Sequence, residues 1–155
     1  LLHDIAKKQT PESMTHMGVS ISAELNNLWV QYPAVWHAFA GPLLIEHIFG
    51  LDNQHVNEAI RYHTTGYDQL STEAKVIYVA DFIEPDRRHG CVEIVANFAN
   101  TDLDKAVAAV TFCSIDKLQK KAVSIHPNTQ KCWDAFGSYL NKTDVSILQG
   151  RLNEN

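Results

Sequence analysis

Five residues of this chain carry side chains that could act together on a metal ion: His3, Asp4, His37, His63 and Asp81. His3 and Asp4 are neighbours. On a helix, adjacent side chains point about 100° apart, so the pair can line one side of a cleft. Imidazole nitrogen with carboxylate oxygen is a donor set for iron, manganese or zinc, harder than a thiolate site. His37 sits among apolar neighbours in Ala34-Val35-Trp36-His37-Ala38-Phe39, and His63 continues the face begun by Val56 and Ile60. Asp81 interrupts the apolar run Val76-Ile77-Tyr78-Val79-Ala80-Asp81-Phe82-Ile83, close to the face of Ile77 and Tyr78. A carboxylate there is costly unless a cation or hydrogen bonds compensate it. Taken singly, each histidine is more often a packed or helix-ending residue than a ligand, and Asp81 could equally meet a core Lys or Arg or reach solvent. The order along the chain favours metal chemistry: a His-Asp pair, two apolar-face histidines, then an Asp on an apolar helix.

The elements that must position these residues read as helices. Ile5 to Lys8 continues a helix, and Thr10-Pro11-Glu12 starts another, with Thr as N-cap and Pro at the first helical position, that runs to about Trp29. Tyr32-Pro33 breaks the chain before a helix from about Ala34 to Phe49, stopped by Gly50, within which Gly41-Pro42 should kink or reset the axis. Asp52 is the expected cap of the helix bearing His63, and Ser71 that of a helix from about Thr72 to Glu84 bearing Asp81. Further helices are expected near Val92–Ala99, from Thr101 to Lys121 and from about Thr129 to Leu140. No alternating pattern lasts long enough for a sheet. The expectation is one all-α domain over residues 1–141, a helical bundle, followed by a polar tail at 142–155.

The composition is that of a globular chain. It has 155 residues, 45% hydrophobic and 20% charged, which argues against disorder. The net charge of −5 disfavours extended nucleic-acid binding while permitting a local basic pocket. No apolar stretch reaches the roughly 18–20 residues of a membrane span. Cys91, Cys113 and Cys132 are odd in number and lack CxxC spacing, as expected of reduced thiols in a cytoplasmic protein. Lys7 lies one turn after Asp4 and could reach a phosphate. Arg87-Arg88 offers fork donors for phosphate oxygens, and Thr64, Thr65 and Gly66 end the His63 helix, where hydroxyls and N–H groups could line a polyphosphate path. His126 is a further possible phosphate contact or a packed turn residue. For each of these the ordinary alternative is a solvated or capping residue.

Leu1-Leu2-His3-Asp4-Ile5-Ala6-Lys7 resembles the metal motif of the HD-domain phosphohydrolases. Arg61-Tyr62-His63-Thr64-Thr65-Gly66 and Ile77-Tyr78-Val79-Ala80-Asp81-Phe82-Ile83-Glu84-Pro85 narrow the resemblance to the YqeK branch, the symmetrical bis(5′-nucleosyl)-tetraphosphatases. His37 with Gly41, Phe49-Gly50 and Ile125-His126-Pro127-Asn128-Thr129 match the same branch, so the likeness runs from Leu1 to about Leu140. It implies an HD bundle with a buried dinuclear metal site. Iron is the usual metal, and manganese, zinc or cobalt suit the same donors. By position, His3, Asp4 and Asp81 would hold the first metal and Asp4, His37 and His63 the second, with Asp4 bridging. His16, His47, His55 and His89 fall off the family's ligand positions and are expected at the surface. The family carries a further metal-binding histidine on a helix before the motif, so a segment is expected to precede Leu1.

The implied activity is hydrolysis of diadenosine tetraphosphate to two ADP, by attack of metal-activated hydroxide on an internal phosphorus. Asp4 and Asp81 would orient that hydroxide, and Lys7 would assist. Another HD phosphohydrolase acting on nucleotides, such as a nucleotidase, and a non-catalytic metal- or nucleotide-binding module are the alternatives. A homodimer is compatible with either.

Overall fold

The computed structural model describes residues 2–85 and 90–153, which are helical with no strand among them, as the patterning predicts. They fall into two compact units, Leu1–Thr64 and Thr65–Asn155.

In the first unit the His-Asp segment is not the expected α-helix. It is a succession of i→i+3 turns, with Ile5 N donating to Leu2 O (3.1 Å), Lys7 N to Asp4 O (2.9 Å) and Gln9 N to Ala6 O (3.0 Å). A segment this short gains too little from propensity to set its own geometry, so packing decides, and Ala6 is fully buried. Side chains three apart nearly eclipse in such turns, which brings Lys7 over Asp4. Helix α1 (Pro11–His16) begins as predicted, with Thr10 and Ser13 in a reciprocal capping box.

The long helix expected from Pro11 to Trp29 is split. Gly18 takes φ +90°, and Val19 N reaches back to Met14 O at 3.0 Å, closing α1 with a Schellman-type turn. Ser22 then caps α2 (Ala23–Gln31). Trp36 is fully buried and donates its indole N–H to Leu25 O at 2.9 Å, tying α2 to α3 (Pro33–Phe49). Of the expected kink or reset at Gly41-Pro42, the reset does not occur: α3 continues through both residues. An interior proline costs about 3 kcal/mol. Trp36, Leu44 and Ile45 are at most 2% exposed, and each contributes about 1.5–3 kcal/mol of burial, which outweighs that cost. Gly50, at φ +61°, ends α3 as predicted. Asn53, not Asp52, caps α4 (Gln54–Tyr62), accepting from the backbone of His55 and Val56, while Asp52 accepts from the Asn57 amide.

The second unit is built around α7 (Leu103–Lys120), whose Ala106 to Val110 run is at most 2% exposed. A helix apolar on all sides must be surrounded. It packs against α5 (Thr72–Phe82), α6 (Val92–Ala99), α8 (Pro127–Phe136) and α9 (Lys142–Asn153). Ser71 caps α5 as predicted. In the core, Tyr78 Oη lies 3.1 Å from Thr111 Oγ1, which donates to Val107 O at 2.8 Å and lies 3.3 Å from Cys132 Sγ. Burial pushes the Tyr78 phenol far up, so it stays neutral. Where a polar tail was expected, the described residues 142–153 form α9. Asn141 and Asp144 cap α9 reciprocally, Lys105 pairs with Asp144 at 2.9 Å, and Leu148 is fully buried.

Candidate metal centre

His3, Asp4, His37 and His63 come together within the first unit. Asp4 comes from the i→i+3 turns, His37 from the first half of α3 and His63 from the C-cap of α4. Asp4 Oδ1 lies 3.2 Å from His37 Nε2 and 3.6 Å from His63 Nε2. The two Nε2 atoms are 3.3 Å apart. Asp4 Oδ2 faces the other way, 3.6 Å from His3 Nε2 and 2.6 Å from Lys7 Nζ. His63 stands edge-on to both other rings, with centroids 4.8 Å from His3 and 5.1 Å from His37.

The tautomer of His63 decides what this cluster can do. Its Nδ1 lies 2.6 Å from the Ile60 carbonyl, an acceptor, so Nδ1 carries a proton and, in the neutral ring, Nε2 presents a lone pair. That lone pair, the His37 ring nitrogen and an anionic oxygen crowd within 3.6 Å. Such a group is repulsive unless a proton or cation sits among them. Donors about 2.0–2.2 Å from a common ion at coordination angles are about 3.0–3.5 Å from one another, which these separations match. One atom each of His3, Asp4 and His63 also lie within 4.8 Å of one another. The residues present therefore fit a divalent cation. A backbone carbonyl on the far nitrogen is the usual outer partner of a metal-binding histidine.

Electrostatics favour the ionised carboxylate. Burial alone would raise the Asp4 carboxyl, but the Lys7 hydrogen bond and charge, with His3 and His37, hold it below the usual range. His63 is nearly sealed, 2% exposed, and His37 is 8% exposed, whereas the Lys7 side chain is 57% exposed with its ammonium on Asp4 Oδ2.

The remaining predicted residues lie as follows. Asp81 is half-buried on α5 in the second unit. Thr64 follows His63, and its buried hydroxyl has no hydrogen-bond partner among the described residues. Thr65 is fully buried and donates to Gly66 O at 2.9 Å. Gly66 takes φ +64°, where a Cβ would lie 2.6 Å from Cys132 Sγ, so Thr65 and Gly66 hold the turn. His126 caps α8, its Nδ1 accepting from Asn128 N at 3.1 Å. Arg87, Arg88 and His89 lie outside the described residues, and His16, His47 and His55 are exposed as expected. The sequence reading missed the Ile60 carbonyl. The i−3 spacing of Ile60 to His63 was visible, but backbone acceptors carry no side-chain signal.

The HD domain model matches residues 1–86, more than half of the chain and the stretch that contains the whole cluster. This chain belongs to the HD-domain family. HD domains bind divalent metals, which agrees with the donor set around Asp4. The HD protein is 34% identical over 129 residues to the symmetrical bis(5′-nucleosyl)-tetraphosphatase of Bacillus subtilis, covering 83% of this chain and 69% of that one. It is 32% identical over 129 residues to the enzyme of the same name from Halalkalibacterium halodurans, covering 83% and 68%. Among solved structures, a protein from Clostridium acetobutylicum described as a predicted HD superfamily hydrolase involved in NAD metabolism matches with TM-score 0.76 and 31% identity, over 90% of this chain and 74% of that one.

Proposed function

We propose that this HD protein hydrolyses diadenosine tetraphosphate symmetrically to two ADP, using divalent metal held by His3, Asp4, His37 and His63. The observation that carries the reading is the His63 Nε2 lone pair, aimed by the Ile60 carbonyl at Asp4 Oδ1 and His37 Nε2. The two named tetraphosphatases supply the substrate class. A metal in this donor set supplies Lewis acidity toward a phosphoryl oxygen and a nucleophile at neutral pH. The chain's own part is to hold Asp4 ionised with both oxygens in use: Oδ1 toward His37 and His63, Oδ2 toward His3 and Lys7. By the family resemblance, His3 and Asp4 would hold one metal and Asp4, His37 and His63 a second, and iron would be the usual ion. Asp81, by its place in the motif order, is proposed as a further carboxylate ligand.

Lys7 is proposed to share its ammonium between Asp4 and a substrate phosphate, lowering the cost of bringing a polyanion to a chain of net charge −5. Thr64, with its unpartnered hydroxyl, is the better candidate of the helix-end pair for a phosphate contact, because the Thr65 hydroxyl is already committed. Arg87, Arg88 and His126 are proposed as additional phosphate contacts on their side-chain chemistry alone. Three buried free thiols fit a reducing compartment such as the cytoplasm.

The test is chromatography of the products formed from diadenosine tetraphosphate by iron- or manganese-loaded protein, beside Asp4→Asn and Asp81→Ala. ADP as sole product, lost in both variants, is the expected result. ATP with AMP, or no turnover by protein with metal bound, would overturn the assignment.

A further inference from the structure

Gly41 lies where three ligand-bearing segments meet. It is buried in α3, four residues after His37 and therefore one turn along the same face. A Cβ built on Gly41 would lie 2.8 Å from Ile60 Cγ2 on α4, 3.9 Å from the His3 carbonyl oxygen and 3.9 Å from Ile5 Cγ2. Its φ is not in the left-handed region, so glycine is required here for space and not for backbone freedom. Ile60 is 4% exposed, cannot swing into solvent, and carries the carbonyl that orients His63. The helices run antiparallel at this point, so the Gly41–Ile60 contact and the His37–His63 pair are successive turns of one interface.

We infer that Gly41 is a positioning residue for the metal centre: its missing side chain sets the closeness of α3 and α4 that puts His37 and His63 Nε2 3.3 Å apart and keeps His63 on the Ile60 carbonyl. The inference rests on the metal-centre reading for its purpose, but its steric core does not. A methyl group at Gly41 must push Ile60 away, because real Cβ atoms essentially never approach within 3.0 Å of another group. The shift is transmitted within one turn to His63, while the His3 carbonyl and Ile5 Cγ2, at 3.9 Å, would meet the methyl in ordinary contact. Packed interiors do not absorb such a displacement smoothly.

The experiment compares wild type, Gly41→Ala and the double variant Gly41→Ala/Ile60→Ala, which removes the Cγ2 that the new methyl meets. Two readouts are taken on folded protein: titration with cobalt(II) followed by its visible spectrum, and long-range proton–nitrogen NMR of the histidine rings without metal. Gly41→Ala should weaken cobalt binding about 10–100-fold, the range for disturbed outer partners, and shift the His63 ring signals. The double variant should recover both to within a few-fold of wild type. A purely structural role would lower the unfolding temperature and leave the cobalt affinity and the His63 signals unchanged, which overturns the inference. If Gly41→Ala does not fold, recovery of folding and of the His63 signature in the double variant supports the inference, and a double variant that folds without that recovery, or fails to fold, overturns it. Should wild type itself bind no cobalt, the metal-centre reading fails, while the metal-free His63 signals still decide whether Gly41 positions that ring.

Discussion

At the scale of single residues, function concentrates on atoms whose partners restrict them. Asp4 serves three imidazoles and one ammonium with two oxygens, and His63 is useful because one of its nitrogens is already spent on Ile60 O. His126 shows the same logic in a structural role. Its Nδ1 accepts from Asn128 N, which requires that nitrogen to be unprotonated, and burial holds its pKa below the ordinary value. The unfolded chain therefore takes up a proton first. The stability this group contributes is complete above about pH 6.5 and declines as pH falls below it, levelling once the folded form is protonated too. His126→Asn keeps a good cap without a titrating group. Urea unfolding at pH 7.5 and 5.5 should give a smaller loss for His126→Asn than for wild type, and equal losses would refute the capping account.

At the scale of elements, glycine marks where the chain must turn, but its surroundings set the cost of replacing it. Gly50 and Gly66 have nearly the same backbone, φ +61° and +64°. A Cβ on Gly50 meets nothing within 4 Å, whereas on Gly66 it meets Cys132 Sγ at 2.6 Å. Gly50→Ala should thus cost only the left-handed penalty of about 1–2 kcal/mol. Gly66→Ala should cost about 1–3 kcal/mol more from overpacking. Denaturant midpoints of the two variants check the difference, and equal values would show that the core yields around Cys132. Gly50 and Ser71 were legible as punctuation because each acts locally, whereas Gly18 was not, since a helix was expected to run through it. The extent of α3 across Pro42 was not legible either, because the burial that outweighs the proline comes from residues distant in sequence.

At the scale of the molecule, binding and folding are linked. A centre assembled from the turns around Asp4, α3 and α4 does not exist in the unfolded chain, so metal binding stabilises the folded state. At free metal about 100-fold above its dissociation constant, the gain is about 2.7 kcal/mol. For a chain of this size that raises the melting temperature by about 5–11 °C. Calorimetry of metal-loaded protein with and without a chelator should show that shift, and an unchanged transition would mean that no tight site forms.

What the sequence determined by itself is whatever depends on local chemistry: helical class, most caps and stops, and which side-chain types could act on a metal. His3, Asp4, His37 and His63 were all nameable from residue type, apolar context and motif order. What only the tertiary structure decided is whatever depends on distance between segments: the tight turns that put Lys7 on Asp4, the Ile60 carbonyl that chooses the His63 tautomer, and the missing Gly41 side chain that lets α4 approach α3. The physical reason is that propensity and pattern act over about one helical turn, whereas a lone pair is aimed by packing among residues up to sixty positions apart.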